Sequence, residues 1–233
     1  MKTLSILYNE MVHISKNFSD IEVVKAYDDK HSKFRDIENE NKAIVESIGL
    51  KEEHIIADFG CGTGNFVVYA AQKCKLIYAI DISQVMLDYT KWKVQKMGLI
   101  NIVYCQGGFL TYAHEGQPLD AIVTSIALHH LPDFWKQKAL QRLNNMLKSK
   151  GKLFLTDVVF TDDNYERNIE TWINRLSAIG GEDLVKDIKE HIKKEFSTFG
   201  WIMEGLLIKA GFQIDKSEYI DGVIARYICT KKG

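Results

Sequence analysis

The stretch that decides the fold is residues 58–64, which read Asp-Phe-Gly-Cys-Gly-Thr-Gly. An apolar run at residues 54–59 leads into the glycines and predicts a buried strand, and a helical pattern follows at residues 65–73. Glycines at such a turn let backbone N–H groups approach a ligand closely, and the start of the helix adds positive potential. The stretch therefore predicts a ligand site where the first strand ends, rather than a tight turn with incidental glycines.

A second acidic residue indicates which kind of ligand this site suits. Asp81 ends the next predicted strand, residues 75–81, where a carboxylate can accept both hydroxyls of a ribose. The third glycine comes one position too early for a dinucleotide fingerprint, and Asp58 would repel a pyrophosphate but suits an ammonium group. A nucleoside cofactor that carries an ammonium group is favoured, and a nicotinamide dehydrogenase is the weakest alternative.

Buried strands alternate with amphipathic helices through most of the chain. Continuous apolar strands in that rhythm indicate a parallel sheet covered on both faces. The fold predicted is α/β: a doubly wound, seven-stranded, mostly parallel sheet with one antiparallel strand, helices on both faces and a small helical cap. Beyond residue 81 the predicted strands are 102–105, 119–125, 152–160, 211–214 and 223–230. A hairpin near Asp221 and Gly222 joins the last two strands. One further helix is predicted to begin after the N-cap Ser83, and two more cover residues 134–147 and 199–210.

Three regions of different texture predict the domain organisation. Residues 1–50 are polar with helix-like spacing and are expected to form a helical segment that covers the cofactor site. Residues 51–160 and 199–233 carry the strand–helix rhythm and are expected to form a Rossmann-like core. Residues 161–198 break that rhythm, being charged and helical, and are expected to form an inserted cap.

Composition excludes several classes of protein. The 233 residues carry 30 Lys+Arg against 31 Asp+Glu and are 46% hydrophobic, which argues against disorder and against a polyanion binder. The four cysteines form no CxxC pair and do not cluster with histidine, so neither a disulfide framework nor a metal site is predicted. Without a secretory signal or an apolar run of about 20 residues, the expectation is a cytoplasmic protein with no membrane partner, a monomer or homodimer.

The motifs together resemble the class I S-adenosylmethionine-dependent methyltransferases, specifically the small-molecule type with an inserted helical cap. Residues 58–64 are similar to the first motif of that family, and residues 79–83 followed by Met86-Leu87 to its second. The resemblance continues through residues 119–133, 147–153 and 210–212, and Tyr27-Asp28 is similar to a tyrosine-aspartate pair that often precedes the core. It implies S-adenosyl-L-methionine as cofactor, S-adenosyl-L-homocysteine as product and a small-molecule methyl acceptor.

The resemblance also implies roles for individual residues in cofactor binding. Asp81 would take the ribose hydroxyls, Asp58 would lie near the ammonium group, and the glycines would line the methionine moiety. Ile82 or Met86 would pack against adenine. The implied cofactor-binding set is Asp58, Gly60, Cys61, Gly62, Gly64, Asp81, Ile82, Met86, Gly108, Phe109 and Ser125.

One position departs from the family pattern. The family usually places an acid after the third strand to hold the adenine amino group, and here Gly108 stands in that position. Phe109 can still pack on the adenine face, and either a backbone group or Gln106 can serve the amino group. Adenine recognition is therefore predicted less directly than ribose recognition.

Methyl transfer needs alignment of nucleophile and methyl, and a general base only if the nucleophile carries a proton. His130, which follows the fourth strand, is the best candidate base, although His129 and His130 can equally serve to orient the loop. Asp157 near the end of the fifth strand is a second catalytic candidate, as a substrate contact or a helix cap. The residues predicted to contact the acceptor are Tyr27, Trp172, Arg175, Glu195 and Trp201.

Other functions stay open on the sequence alone. A nucleic-acid substrate is disfavoured because the cap lacks a basic surface, but a tRNA nucleotide remains an alternative acceptor. Transfer of another group from a sulfonium cofactor also agrees with the sequence. A third alternative is a non-catalytic regulator that binds S-adenosylmethionine or S-adenosylhomocysteine.

Overall fold

The computed structural model describes residues 7–12, 20–32 and 35–233. The prediction about a secretory signal rests on the first ten residues, of which residues 1–6 lie outside the described residues. Among the described residues the helices are α1 (Ile21–Ser32), α2 (Ile37–Ile48), α3 (Asn65–Ala71), α4 (Gln84–Lys96), α5 (Asp133–Met146), α6 (Tyr165–Lys194) and α7 (Gly200–Lys209), and a 3-10 turn spans Leu128–His130. The strands are β1 (Ile55–Phe59), β2 (Leu76–Asp81), β3 (Ile102–Gln106), β4 (Leu119–Ser125), β5 (Leu147–Phe160), β6 (Thr198–Phe199), β7 (Phe212–Ile220) and β8 (Ile224–Lys231).

The strands form one twisted sheet in the order β3-β2-β1-β4-β5-β8-β7, with the two-residue β6 paired to β5 off this path. β8 runs antiparallel to both of its neighbours, and the other pairs are parallel. The prediction of a seven-stranded, mostly parallel sheet with one antiparallel strand is confirmed. The chain order reverses between β1 and β4, and the loops that leave these two strands diverge there, which opens a crevice at their carboxyl ends.

Apolar residues of the central strands supply a core to each face of the sheet. All five residues of β1 are buried: Ile55, Ala57 and Phe59 join the cluster beneath α5 and α7, whereas Ile56 joins the cluster beneath α2, α3 and α4. Burial of such a side chain contributes about 1.5–3 kcal/mol. The two cores hold the carboxyl ends of the strands in fixed positions, and any ligand site at that edge of the sheet is held with them.

The ends of two strands differ from the prediction. β5 begins at Leu147, five residues earlier than expected, because Leu147 pairs with Leu119 across a register irregularity. β7 continues to Ile220 rather than residue 214, since it keeps pairing with β8 as far as the hairpin. The hairpin itself turns at Asp221 and Gly222 as predicted, and their φ values of 54° and 69° agree with the turn type that favours Asp-Gly.

Helix α6 covers the carboxyl end of the sheet. It bends at Gly181, whose φ of 66° and ψ of −161° are not helical. Four of its side chains form a third apolar cluster with Val158 and Phe160 of β5 and with Val223 of the hairpin turn. These four are Trp172, Leu176, Leu184 and Ile188. Within the part of the chain that is described, no helix has the length and apolarity needed to cross a bilayer.

Candidate functional site

A cavity of about 680 Å³ lies at the carboxyl edge of the sheet, between the glycine turn and α6. Its position is the one at which doubly wound sheets bind ligands. Of the eleven predicted cofactor residues, eight line it: Gly60, Gly62, Asp81, Ile82, Met86, Gly108, Phe109 and Ser125. Asp58, Cys61 and Gly64 are buried and do not line the cavity.

The glycine turn is fastened to β2 by backbone hydrogen bonds. The N–H groups of Gly60 and Cys61 both donate to the Ile80 carbonyl, at 2.9 and 3.0 Å. A Cβ on Gly64 would lie 2.4 Å from the Thr90 side chain, so packing alone requires glycine there. A Cβ on Gly62 would meet no atom within 4 Å, because this glycine faces the cavity.

The Asp81 carboxylate is held in one orientation at the cavity wall. Its Oδ2 accepts from Gly62 N–H and its Oδ1 from Ser83 N–H, each at 2.8 Å. Burial raises the pKa of Asp81, although these backbone donors oppose the shift. Asp58 lies deeper, and burial together with the nearby Asp81 charge raises its pKa to about 8. Two neighbouring carboxyl groups therefore create a region that favours a cation.

The N-terminal segment contributes a residue that sequence reasoning missed. Glu10 is buried and lines the cavity, and its Oε1 accepts hydrogen bonds from Leu110 N–H, Thr111 N–H and Thr111 Oγ1 at 2.7–2.8 Å. A Cβ on Gly108 would lie 2.6 Å from the Glu10 carboxyl carbon. A carboxylate from residue 10 thus stands where a side chain at position 108 would begin. No local signal in the sequence links positions so far apart.

Helix α1 is also attached to the glycine turn. Asp28 accepts hydrogen bonds from Thr63 Oγ1 at 2.5 Å and Asn65 Nδ2 at 3.1 Å, and it forms an ion pair with Lys93 of α4. These contacts place the neighbouring Tyr27 on the cavity wall. Burial raises the pKa of the Tyr27 hydroxyl.

A cluster of imidazoles and carboxylates stands at the other end of the cavity. His129 Nδ1 lies 2.5 Å from Asp157 Oδ1, and His129 N–H donates to Asp157 Oδ2 at 2.8 Å. On its other side, His129 Nε2 lies 3.1 Å from Glu195 Oε2, and the same oxygen pairs with His191 Nδ1. Burial alone would lower the pKa of His129, but the two carboxylates outweigh it and raise the pKa to about 9.

The structure places the two predicted catalytic residues differently. Asp157 is 1% exposed and does not line the cavity, so it contacts His129 rather than substrate. His129 is the imidazole bonded to Asp157. His130 does line the cavity, and burial with the adjacent His129 lowers its pKa to about 4, which leaves it neutral.

Four of the five predicted acceptor residues line the cavity: Tyr27, Trp172, Arg175 and Glu195. Trp201 does not, because it lies at the start of α7 with 64% of its surface exposed. The sequence also missed the apolar wall. That wall consists of Phe154, Val158, Leu176, Ile179, Leu184, Ile188 and Ile224.

A doubly wound sheet with a glycine turn and a fixed acid after β2 defines an α/β protein that binds a nucleoside cofactor. Residues 56–151 match the family described as a methyltransferase domain. An uncharacterized methyltransferase of Geobacillus thermodenitrificans is 28% identical over 191 residues, 82% of each chain.

Solved structures show the same fold. A S-adenosylmethionine-dependent methyltransferase of Clostridium acetobutylicum aligns with a TM-score of 0.69 at 14% identity, over 91% of this chain and 98% of its own. Magnesium protoporphyrin IX methyltransferase of Synechocystis PCC 6803 was solved with bound S-adenosylmethionine. It aligns with a TM-score of 0.58 at 15% identity, over 96% of this chain and 88% of its own. In sequence and in fold, the chain is thus similar to the class I S-adenosylmethionine-dependent methyltransferases. The match to a methyltransferase domain and to relatives named methyltransferase supports a methyltransferase enzyme rather than a dehydrogenase or a non-catalytic regulator.

Proposed function

We propose that the enzyme methylates a small molecule that binds between the glycine turn and α6. The observation that carries this proposal is the single cavity that continues from Gly62 and Asp81 to the wall formed by α6. Its volume of about 680 Å³ falls within the roughly 300–1,000 Å³ of small-molecule sites. The near balance of 30 basic and 31 acidic residues also favours a small acceptor over tRNA.

The cofactor would lie at the end of the cavity next to β1 and β2. Asp81, oriented by the Gly62 and Ser83 N–H groups, would accept the ribose hydroxyls. Asp58 would favour the ammonium group from below, and Met86 and Phe109 would pack against adenine. Glu10 would accept the adenine amino group, because its carboxylate occupies the space left by Gly108 and borders the cavity.

The acceptor would lie beneath α6. Trp172, Leu176 and Leu184 offer an apolar surface from the helix, and Val158 and Ile224 offer one from the strands. His130 and Arg175 are the polar groups that border this part of the cavity, together with Glu195. An acceptor with an apolar body and a polar reactive end matches this arrangement.

The bound cofactor would supply a sulfonium methyl group for in-line displacement. The acceptor atom would bond to the methyl carbon as the carbon–sulfur bond broke, and the electron pair would stay on sulfur to give S-adenosylhomocysteine. The enclosed cavity would align the two atoms and exclude water. The structure thus supports catalysis mainly by positioning.

Calorimetry and a product assay test the proposal. Titration of the purified protein with S-adenosylmethionine, S-adenosylhomocysteine and NAD should show binding of the two sulfur nucleosides alone. S-adenosylhomocysteine should then form with members of a small-molecule acceptor panel and not with unmodified tRNA. Turnover with tRNA alone, or transfer of a group other than methyl, would overturn the proposal. Gly62→Val is the negative control, because its side chain would project into the cavity.

A further inference from the structure

We propose that His129, His130 and Glu195 bind a divalent transition-metal ion at the α6 end of the cavity. One ligand atom from each of the three residues lies within 4.8 Å of the others. His129 and His130 belong to the turn after β4, and Glu195 is the residue at the end of α6. The core and the cap therefore meet at this site.

The spacing of two of these atoms already matches a metal site. His129 Nε2 and Glu195 Oε2 are 3.1 Å apart. Bonds of about 2.0–2.2 Å from one ion to nitrogen and oxygen place neighbouring ligand atoms about 3 Å apart. His129 and Glu195 would thus need little movement to share an ion. The rings of His129 and His130 have centroids 4.4 Å apart, which brings the third ligand to the same place.

Asp157 provides the support that metal-binding histidines usually have. Its Oδ1 lies 2.5 Å from His129 Nδ1, opposite the nitrogen that would bind the ion. Asp157 itself accepts from the N–H groups of His129 and Val158, each at 2.8 Å. A carboxylate that fixes the far nitrogen of a ligand imidazole sets its tautomer and orientation. This contact is difficult to explain as substrate binding, since Asp157 is buried away from the cavity.

His191 would steady the carboxylate ligand. Its Nδ1 pairs with Glu195, and its Nε2 lies 2.9 Å from Ser197 Oγ. Ser197 thus orients His191, and His191 in turn holds Glu195 beside His129.

The donor set indicates which ions would bind. Two imidazoles and one carboxylate suit Zn²⁺, Co²⁺, Ni²⁺ or Fe²⁺ better than Mg²⁺ or Ca²⁺, which prefer oxygen ligands. Three protein ligands leave at least one coordination position open, and all three residues line the cavity. A heteroatom of the acceptor could take that position and have its pKa lowered. This last step rests on the proposed function, whereas the metal site itself does not.

The experiment measures metal binding without turnover. Full-length protein without a histidine tag is stripped of metal, incubated with Co²⁺ or Zn²⁺ and desalted, and bound metal is counted by mass spectrometry. About one ion per chain is expected, with visible d–d absorption for Co²⁺. Glu195→Gln and His130→Ala should each weaken the affinity at least tenfold. Asp157→Asn, which touches no ion, should weaken it about 10- to 100-fold.

Two controls keep the result interpretable. His114→Ala should bind metal as the wild type does, because His114 contacts Tyr112 and Gln117 instead. Every variant should also bind S-adenosylmethionine as the wild type does, which shows that it is folded. Substoichiometric metal on the wild type, or equal affinity in Glu195→Gln, would mean that the cluster is only a protonated ion pair and would overturn the proposal. Loss of cofactor binding by the wild type would instead contradict the proposed cofactor site.

Discussion

The two ends of the cavity are built in different ways. At the cofactor end, the Asp81 carboxylate accepts from backbone N–H groups in two turns, and the N–H groups of the glycine turn donate to a carbonyl of β2. At the acceptor end, Trp172 and the other α6 side chains are fixed by packing on β5 and β8, and the polar groups by one another. The cofactor end therefore depends on the position of the backbone, whereas the acceptor end depends on the identity of its side chains. Substitutions at the acceptor end should lower stability most, and substitutions at the cofactor end should lower cofactor affinity.

The largest effect is expected at the acceptor end. Trp172→Ala should lower the free energy of unfolding by about 3–5 kcal/mol, because Trp172 is 8% exposed and packs in the cluster that anchors α6. Urea unfolding followed by circular dichroism measures this. Trp201→Ala is the matched control and should change stability by less than about 0.5 kcal/mol, since Trp201 is 64% exposed. Equal losses in both variants would show that α6 is not held by this packing.

At the cofactor end, Asp81→Ala should weaken S-adenosylmethionine binding about 10- to 100-fold. The charged hydrogen bonds that it would lose are worth roughly 1.5–3 kcal/mol. Calorimetry gives the affinity, and Asp88→Ala on the exposed face of α4 should leave it unchanged. Unaltered affinity in Asp81→Ala would remove the ribose role from this residue.

Glu10 should have a smaller and more specific effect. Glu10→Ala should weaken S-adenosylhomocysteine binding about tenfold, since it removes a charged acceptor. It should also abolish any preference for adenine over a hypoxanthine analogue that lacks the amino group, and Glu10→Gln, which keeps an oxygen acceptor, should retain part of that preference. If Glu10→Ala weakens both ligands equally, Glu10 only supports the turn at Leu110 and Thr111.

The smallest effect expected is a pH dependence set by Asp58. Its pKa of about 8 keeps it mostly protonated at pH 7, whereas the ammonium group of the cofactor favours the ionised form. Cofactor binding should therefore release part of a proton, and a fall of about one unit in the Asp58 pKa on binding would raise the affinity less than about tenfold in total between pH 6 and 8. Calorimetry at several pH values measures the slope. Asp58→Asn should flatten it, and an equal slope in that variant would assign the proton to another group.

The same contrast explains what the sequence could predict. The sequence predicts that Asp81 and Gly62 lie together because their spacing along the chain reflects one strand–turn–helix–strand unit, and both line the cavity. His129, Asp157 and Glu195 meet only after three separate segments fold together, so no short pattern marks them. Trp201 was misjudged because an aromatic residue at helical spacing does not tell which face is covered. Glu10 was missed for a different reason: its carboxylate replaces a side chain that position 108 lacks, and the two positions are nearly a hundred residues apart.

That distance has a consequence for the order in which the enzyme matures. The Glu10 carboxylate binds N–H groups at Leu110 and Thr111, 100 and 101 residues further along the chain. At a ribosomal rate of roughly 5–20 residues per second, residue 10 is made about 5–20 s before its partners. This part of the cavity wall therefore stays incomplete while the first three strands are made, and it closes only when the beginning of the chain docks on that later loop.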